Sequence, residues 1–159
     1  MKTDDTALFD NSFLPLLSRV LHEYTRRFHQ RWNLPLALVM VLVEIAKLDG
    51  RAEPAAVAET LCIPRQTMTS LLDMLEKRAL ARRLPHPADR RRKVLRLTPE
   101  GARLADAIVS DALRSEAAAI RAAVIDPAEL PRFRDAVIRY ISALAAQNDA
   151  APSRKDAAP

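Results

Sequence analysis

From Phe13 the large apolar residues fall at Phe13, Leu17, Val20, Leu21, Tyr24 and Phe28. Steps of three and four put one apolar stripe on a helix that ends near Trp32. Asn33-Leu34-Pro35 breaks it, and residues 36–48, "LALVMVLVEIAKL", are apolar nearly all round, which predicts a helix buried on most faces. It stops at Asp49-Gly50. Pro54 suits the first position of a short helix over 54–61, with Val57, Ala58 and Leu61 as its apolar members. After Cys62-Ile63-Pro64, with Pro64 again well placed as a first residue, Met68, Leu71, Leu72 and Leu75 occupy i, i+3, i+4 and i+7 of the next helix. Its opposite face carries Gln66, Thr69, Ser70, Asp73 and Lys77, with Arg65 at the helix start.

Two short helices joined by a tight turn, the second with a small, hydrogen-bonding outer face, describe a helix-turn-helix, although other αα-hairpins share the pattern. "LARRLP" and "KVLRLT" then predict two short strands around a loop over 85–92. A hairpin directly after a helix-turn-helix is a winged helix. Thr98 reads as an N-cap, Pro99 as the first helical residue and Glu100 as its first-turn acid. That helix runs about 25 residues to Asp126-Pro127. A last helix continues to about residue 146, with Leu130, Phe133, Val137, Ile138, Ile141 and Leu144 on one face. The tail from Gln147 has no large apolar residue and is expected to be disordered. The fold class is mainly α with a small β-hairpin wing. The expected organisation is an N-terminal dimerisation helix (1–33), a winged helix-turn-helix (34–98), C-terminal dimerisation helices (99–146) and the tail (147–159). The outer helices carry more apolar surface than so small a wing domain covers, which implies a homodimer paired through them, presenting two helix-turn-helices about one DNA turn apart.

Charge sharpens this picture. The chain of 159 residues has a net charge of +5, yet the stretch from Lys77 to Arg96 holds nine Lys/Arg against the single acid Asp89, a local +8. The basicity is one patch on a slightly acidic body, and such patches attract polyanions by releasing their counterions. A solvated charged surface would look the same in isolation; the adjoining helices favour double-stranded DNA. Two glycines leave no room for a phosphate-cradling loop, and no Ser/His/Asp set is present, so an enzyme is not expected. No cofactor or metal is expected either: His22 and His29 are seven residues apart, and Cys62 and His86 lie on other elements. No apolar run approaches the roughly 20 residues of a membrane span. A single cysteine fits a reducing cytoplasm.

With "VAETL" (57–61), "TMTSLLDMLEKRALARR" (67–83) and "DRRRKVLRLTPEG" (89–101) in that order, the chain resembles the MarR family of bacterial transcription regulators. The match covers roughly residues 34–101, with compatible flanking helices. Asp-x-Arg in the wing followed by a strand and Leu-Thr-x-x-Gly is the distinctive combination. Three positions depart from the family pattern. Ala79 stands where Gly is usual, and must take a left-handed conformation or extend the helix. Leu38 replaces a common Gln, and Pro64 a frequent Ser that would cap the recognition helix.

The resemblance makes 65–77 a recognition helix, with Arg65, Gln66, Thr67, Thr69 and Ser70 as its DNA-facing residues; Arg65 suits a phosphate as well as a guanine. Asp73 would repel phosphate and is expected beyond the groove or paired with Lys77. In the wing, Arg91 is the residue implied to enter a minor groove, Asp89 orients it, and Arg90, Arg92 and Lys93 hold phosphates. The family also implies a small-molecule effector pocket between the dimerisation helices and the wing domain, with Arg19, His22, Arg26 and Trp32 as candidate lining. Ordinary surface or interface side chains remain the other reading of those four. Some family members sense oxidants through cysteine, but Cys62 has only Arg65 near it in sequence to lower its pKa. The function expected is a ligand-responsive repressor at a pseudo-palindromic promoter site. The alternative is a winged-helix module that binds proteins, which would more naturally present an apolar patch than this charge.

Overall fold

Periodicity and punctuation place most elements within a residue or two of their observed ends. The computed structural model describes residues 12–150 except 49, 51, 90 and 124, and of 148–150 the backbone alone. Helices α1 (Phe13–Trp32), α2 (Leu36–Lys47), α3 (Pro54–Thr60) and α4 (Arg65–Lys77) are followed by strands β1 (Ala81–Pro85) and β2 (Lys93–Leu97). Helix α5 (Pro99–Ala122), a 3-10 turn (Pro127–Glu129) and helix α6 (Leu130–Ala150) complete the chain. The chain divides into two compact units after Asp111, inside α5.

In the first unit the apolar faces of α2, α3 and α4 close on one another and on β2. Leu38, Val41, Leu42, Ile45, Val57, Met68, Leu75, Leu95 and Ile108 form the fully buried core. Leu38, at the position where the family often has Gln, is 0% exposed, so an apolar residue there avoids leaving an amide to be satisfied. The hairpin pairs Ala81 with Leu97 through to Pro85 with Lys93. Ala52 adds a third, one-residue rung, its carbonyl accepting from Leu95 N–H at 2.7 Å. That rung has no sequence signature.

Helix α1 contributes one buried apolar side chain, Phe28, with Tyr24 stacked on it at 6.2 Å between centroids. Phe13, Leu14, Leu16, Leu17, Val20, Leu21 and Tyr24 are exposed. Its attachment includes charge: Arg27 Nη2 donates to Asp111 Oδ2 at 2.9 Å, and Arg31 Nε lies 3.0 Å from Asp111 Oδ1. Asp111 is 6% exposed, and two guanidiniums are what make a buried carboxylate tolerable.

Few glycines force other residues into left-handed backbone at helix ends. Asn33, Cys62 and Ala79 have φ of 51°, 51° and 55°. Ala79 therefore takes the first of the two options open to it. Its N–H reaches Glu76 O and Leu80 N–H reaches Leu75 O, both at 2.9 Å, the double bond pattern that closes a helix on a left-handed residue. A Cβ in that region costs about 1 kcal/mol. Ala79→Gly is expected to stabilise the chain by about 0.5–1 kcal/mol, offset in part by glycine's unfolded-state entropy. Thermal unfolding should show it as a rise of about 2–4 °C, and an unchanged or lower midpoint would contradict it.

Thr98 caps α5 as expected, accepting from Gly101 N–H at 3.0 Å, while its hydroxyl donates to Ala79 O at 2.7 Å. In the second unit, Asp126 accepts from Ala128 N–H and starts the 3-10 turn. Helix α6 then runs through Ala150, four residues beyond the expected end at 146. Asn148 and Asp149 are weak helix formers, but adding a residue to an established helix costs far less than starting one, and the tail's expected start at 147 is corrected to after 150. Residues 151–159 lie outside the described residues. Leu113, Ile125, Phe133, Ile138, Ile141 and Leu144 are exposed large apolar residues of this unit. No helix among the described residues is long and apolar enough to cross a membrane.

Candidate nucleic-acid interface

Helix α4 buries Met68, Leu71, Leu72 and Leu75, and so fixes what it turns outward. Arg65, Gln66, Thr67, Thr69 and Ser70 are all exposed along its first turn and a half. The Thr69 hydroxyl donates to Arg65 O at 3.1 Å and the Ser70 hydroxyl to Gln66 O at 3.3 Å, leaving their oxygen lone pairs outward. Pro64 at the N-cap offers no side-chain cap and the first turn holds no acid. Amide donors at the start of α4 are therefore left to solvent or to an anion, at the positive end of the helix dipole.

The wing tip is organised by its backbone. His86 N–H donates to Arg92 O at 3.1 Å beyond the last rung of the hairpin, and Arg92 N–H donates to Asp89 O at 3.0 Å. Asp89 Oδ1 accepts from Arg91 N–H at 2.9 Å. Asp89 thus orients Arg91 through the main chain, an Asx-type turn. Arg91 and Lys93 are exposed and have no carboxylate partner among the described residues. Arg90 lies outside the described residues.

Arg92 is placed differently from the expectation that it is poised for phosphate. Its Nε donates to Glu53 Oε2 at 3.0 Å and its Nη2 to Glu53 Oε1. The Arg92 hydrogen bond holds the Glu53 carboxyl below its usual range, and Glu53 in turn raises Arg92. A carboxylate depressed in the folded state contributes its stability above the unfolded pKa and loses it as pH falls through the folded one. The pair is therefore favoured at neutral pH and weakened in acid.

Asp73 is not paired with Lys77. Its Oδ1 meets Arg83 Nη1 at 2.6 Å, and the same nitrogen lies 2.9 Å from Glu76 Oε2. Arg83 also sends Nη2 to Thr69 O at 3.0 Å, and its N–H to Glu76 Oε1 at 2.8 Å. Arg83 therefore staples β1 to α4. On the hairpin's other face Arg82 stands directly opposite Arg96, a like-charge rung that weakens the hairpin while adding to the positive field.

The four residues proposed for an effector pocket are not gathered. Arg19, His22 and Arg26 are exposed on the side of α1 opposite its apolar stripe, and Arg26 is paired with Glu23 at 2.6 Å. Trp32 is half-buried about 120° further round the helix. Its Nε1 is buried without a partner among the described residues, and the Arg31 guanidinium lies 5.6 Å from its ring centroid. Cys62 is exposed and lines an open groove of about 540 Å³ with Ala55, Ala58, Glu59, Ile63, Pro64 and Arg65.

Residues 32–92, which span α2, the α3–turn–α4 pair, β1 and the wing turn, match the family model described as MarR family. Over that segment the chain is similar to the MarR family. Solved structures agree with the family's winged-helix fold. The structure of MarR shares 23% identity at a TM-score of 0.71, covering 89% of this chain and 97% of that one. Staphylococcus aureus MepR in complex with DNA shares 19% at 0.69, covering 84% and 98%. Streptomyces coelicolor PcaV with its natural ligand shares 23% at 0.69, covering 81% and 91%. Comparison with curated protein sequences gives no match. Arg83 and Glu53 are two residues of the candidate surface whose contacts sequence reasoning passed over. Arg83 had a signal, since it lies at an inward position of β1 and Asp73 and Glu76 share one face of α4.

Proposed function

We propose that this chain is a homodimeric, sequence-specific DNA-binding regulator of the MarR family, most simply a repressor. The observation that carries it is the uncapped start of α4, with Arg65, Gln66, Thr67, Thr69 and Ser70 exposed, beside a wing whose turn presents Arg91 without a carboxylate partner among the described residues. One provides donors and acceptors for base edges in a major groove, the other a cation for a minor groove. The dimer is supported by the exposed apolar residues of α1 and, separately, of α6, since so many large apolar side chains on two amphipathic helices mark an association surface. Release by a small-molecule effector rests on the family resemblance and on the structural neighbour PcaV, a transcriptional regulator known in complex with its natural ligand. A ligand acting this way binds a dimer whose recognition helices are wrongly spaced for the operator, so it weakens DNA binding and leaves the dimer intact.

Selection from a random duplex pool tests the core of this reading. The expected product is a pseudo-palindrome whose half-sites lie about 10 base pairs apart, centre to centre. Failure to enrich any motif, alongside a stoichiometric protein partner in pull-downs, would favour the protein-binding alternative.

A further inference from the structure

The wing's cations are not equivalent. Arg91 and Lys93 are exposed with no acid partner among the described residues, while Arg92 spends Nε and Nη2 on both oxygens of Glu53. Fork-on-fork pairing of this kind is the strong form of a charge-assisted hydrogen bond. Glu53 sits immediately before Pro54 at the start of α3, where the helix dipole favours a carboxylate. It makes no capping hydrogen bond there, so the carboxylate's role is its contact with Arg92. Glu53 also comes from a part of the chain 39 residues away from Arg92, so the contact depends on the tertiary fold.

We propose that Glu53 is a positioning residue of the DNA interface, an internal competitor that keeps Arg92 off the phosphates and so limits the wing's sequence-independent affinity. This rests on the reading of the wing as DNA-binding. A guanidinium already neutralised by a carboxylate releases no counterion from DNA unless its pair opens. Opening it leaves Glu53 as an unpaired carboxylate facing a polyanion. Phosphate contacts carry no sequence information, so suppressing one lowers affinity for every duplex alike. The consequence is weaker retention on the bulk of random DNA, where a regulator with a local charge of +8 would otherwise linger.

The test uses the full chain with Glu53→Gln, Arg92→Ala and the double variant, titrated with a random duplex and a selected site over a range of salt. Gln keeps the size of Glu and removes the charge. Glu53→Gln is expected to steepen the salt dependence of log K by about one per wing and raise affinity on both duplexes by about 5–10-fold near 0.1 M salt. Arg92→Ala alone is expected to leave the slope unchanged, and the double variant to return to wild type. That rescue is a readout that a merely structural role for Glu53 would not produce. Unchanged or weaker binding by Glu53→Gln overturns the proposal, as does a flatter slope in Arg92→Ala, which would mean Arg92 already holds a phosphate. A gain that persists in the double variant, or one confined to the selected site, overturns it as well. A wild-type chain with no salt-dependent binding at all overturns the DNA reading itself, and this inference with it.

Discussion

Gly101→Ala is expected to cost about 3–5 kcal/mol, enough to unfold much of the protein, although it adds a single methyl group to a helix. An added Cβ would stand 1.9 Å from the Leu80 carbonyl oxygen and 2.8 Å from its carbon. Both are backbone atoms, so no side-chain rotation relieves the clash. Leu80 cannot retreat cheaply either. Its N–H is bonded to Leu75 O at the end of α4, and its carbonyl accepts from Thr98 N–H at 3.0 Å. The Thr98 hydroxyl meanwhile holds Ala79 O and caps Gly101 N–H. At this point α4, β1 and α5 share a few backbone atoms, and displacing one breaks several hydrogen bonds together. The glycine of Leu-Thr-x-x-Gly is therefore required for close approach, not for a turn, since Gly101 lies within α5. Urea unfolding followed by circular dichroism checks this, and a midpoint equal to wild type would contradict it.

Arg91→Ala should lower affinity for a selected operator by about 10–100-fold and flatten the salt slope by about one per wing. The wing turn holds Arg91 by its own N–H against Asp89, so little backbone entropy remains to be lost on binding, although the side chain must still be ordered. A guanidinium at a narrow minor groove meets the most negative potential on the duplex. Arg91→Lys should keep the slope but recover affinity only in part, because an ammonium is more strongly hydrated than a guanidinium. Asp89→Ala, which frees the turn without removing the cation, should cost only a few-fold. Fluorescence anisotropy measures all three, and an Arg91→Ala protein that binds like wild type would remove the wing from the interface.

What was legible in the sequence was local. The stripe from Phe13 to Phe28, the i, i+3, i+4, i+7 set from Met68 to Leu75 and the Thr98-Pro99 start are set by backbone periodicity and caps, and each appears where its spacing put it. Contacts between distant segments had weaker signals or none. Ala52 on Leu95, Glu53 on Arg92 and Asp111 between Arg27 and Arg31 join residues that no period relates. The same limit explains the four pocket candidates: Arg19, His22 and Arg26 share a helix side, but being chemically suitable does not place Trp32 beside them. Charge counting likewise overstated the wing, because Arg83 and Arg92 are neutralised by acids that lie outside the cationic run.

The most direct test of a sequence-specific DNA-binding regulator is equilibrium binding to the DNA upstream of the protein's own gene, titrated across salt beside a random duplex of equal length. A steep salt dependence is expected on both, with the upstream DNA bound at least about 1,000-fold more tightly near physiological salt. Equal affinity for the two duplexes would contradict autoregulation through that region, and equal affinity for a selected site as well would contradict sequence-specific recognition altogether.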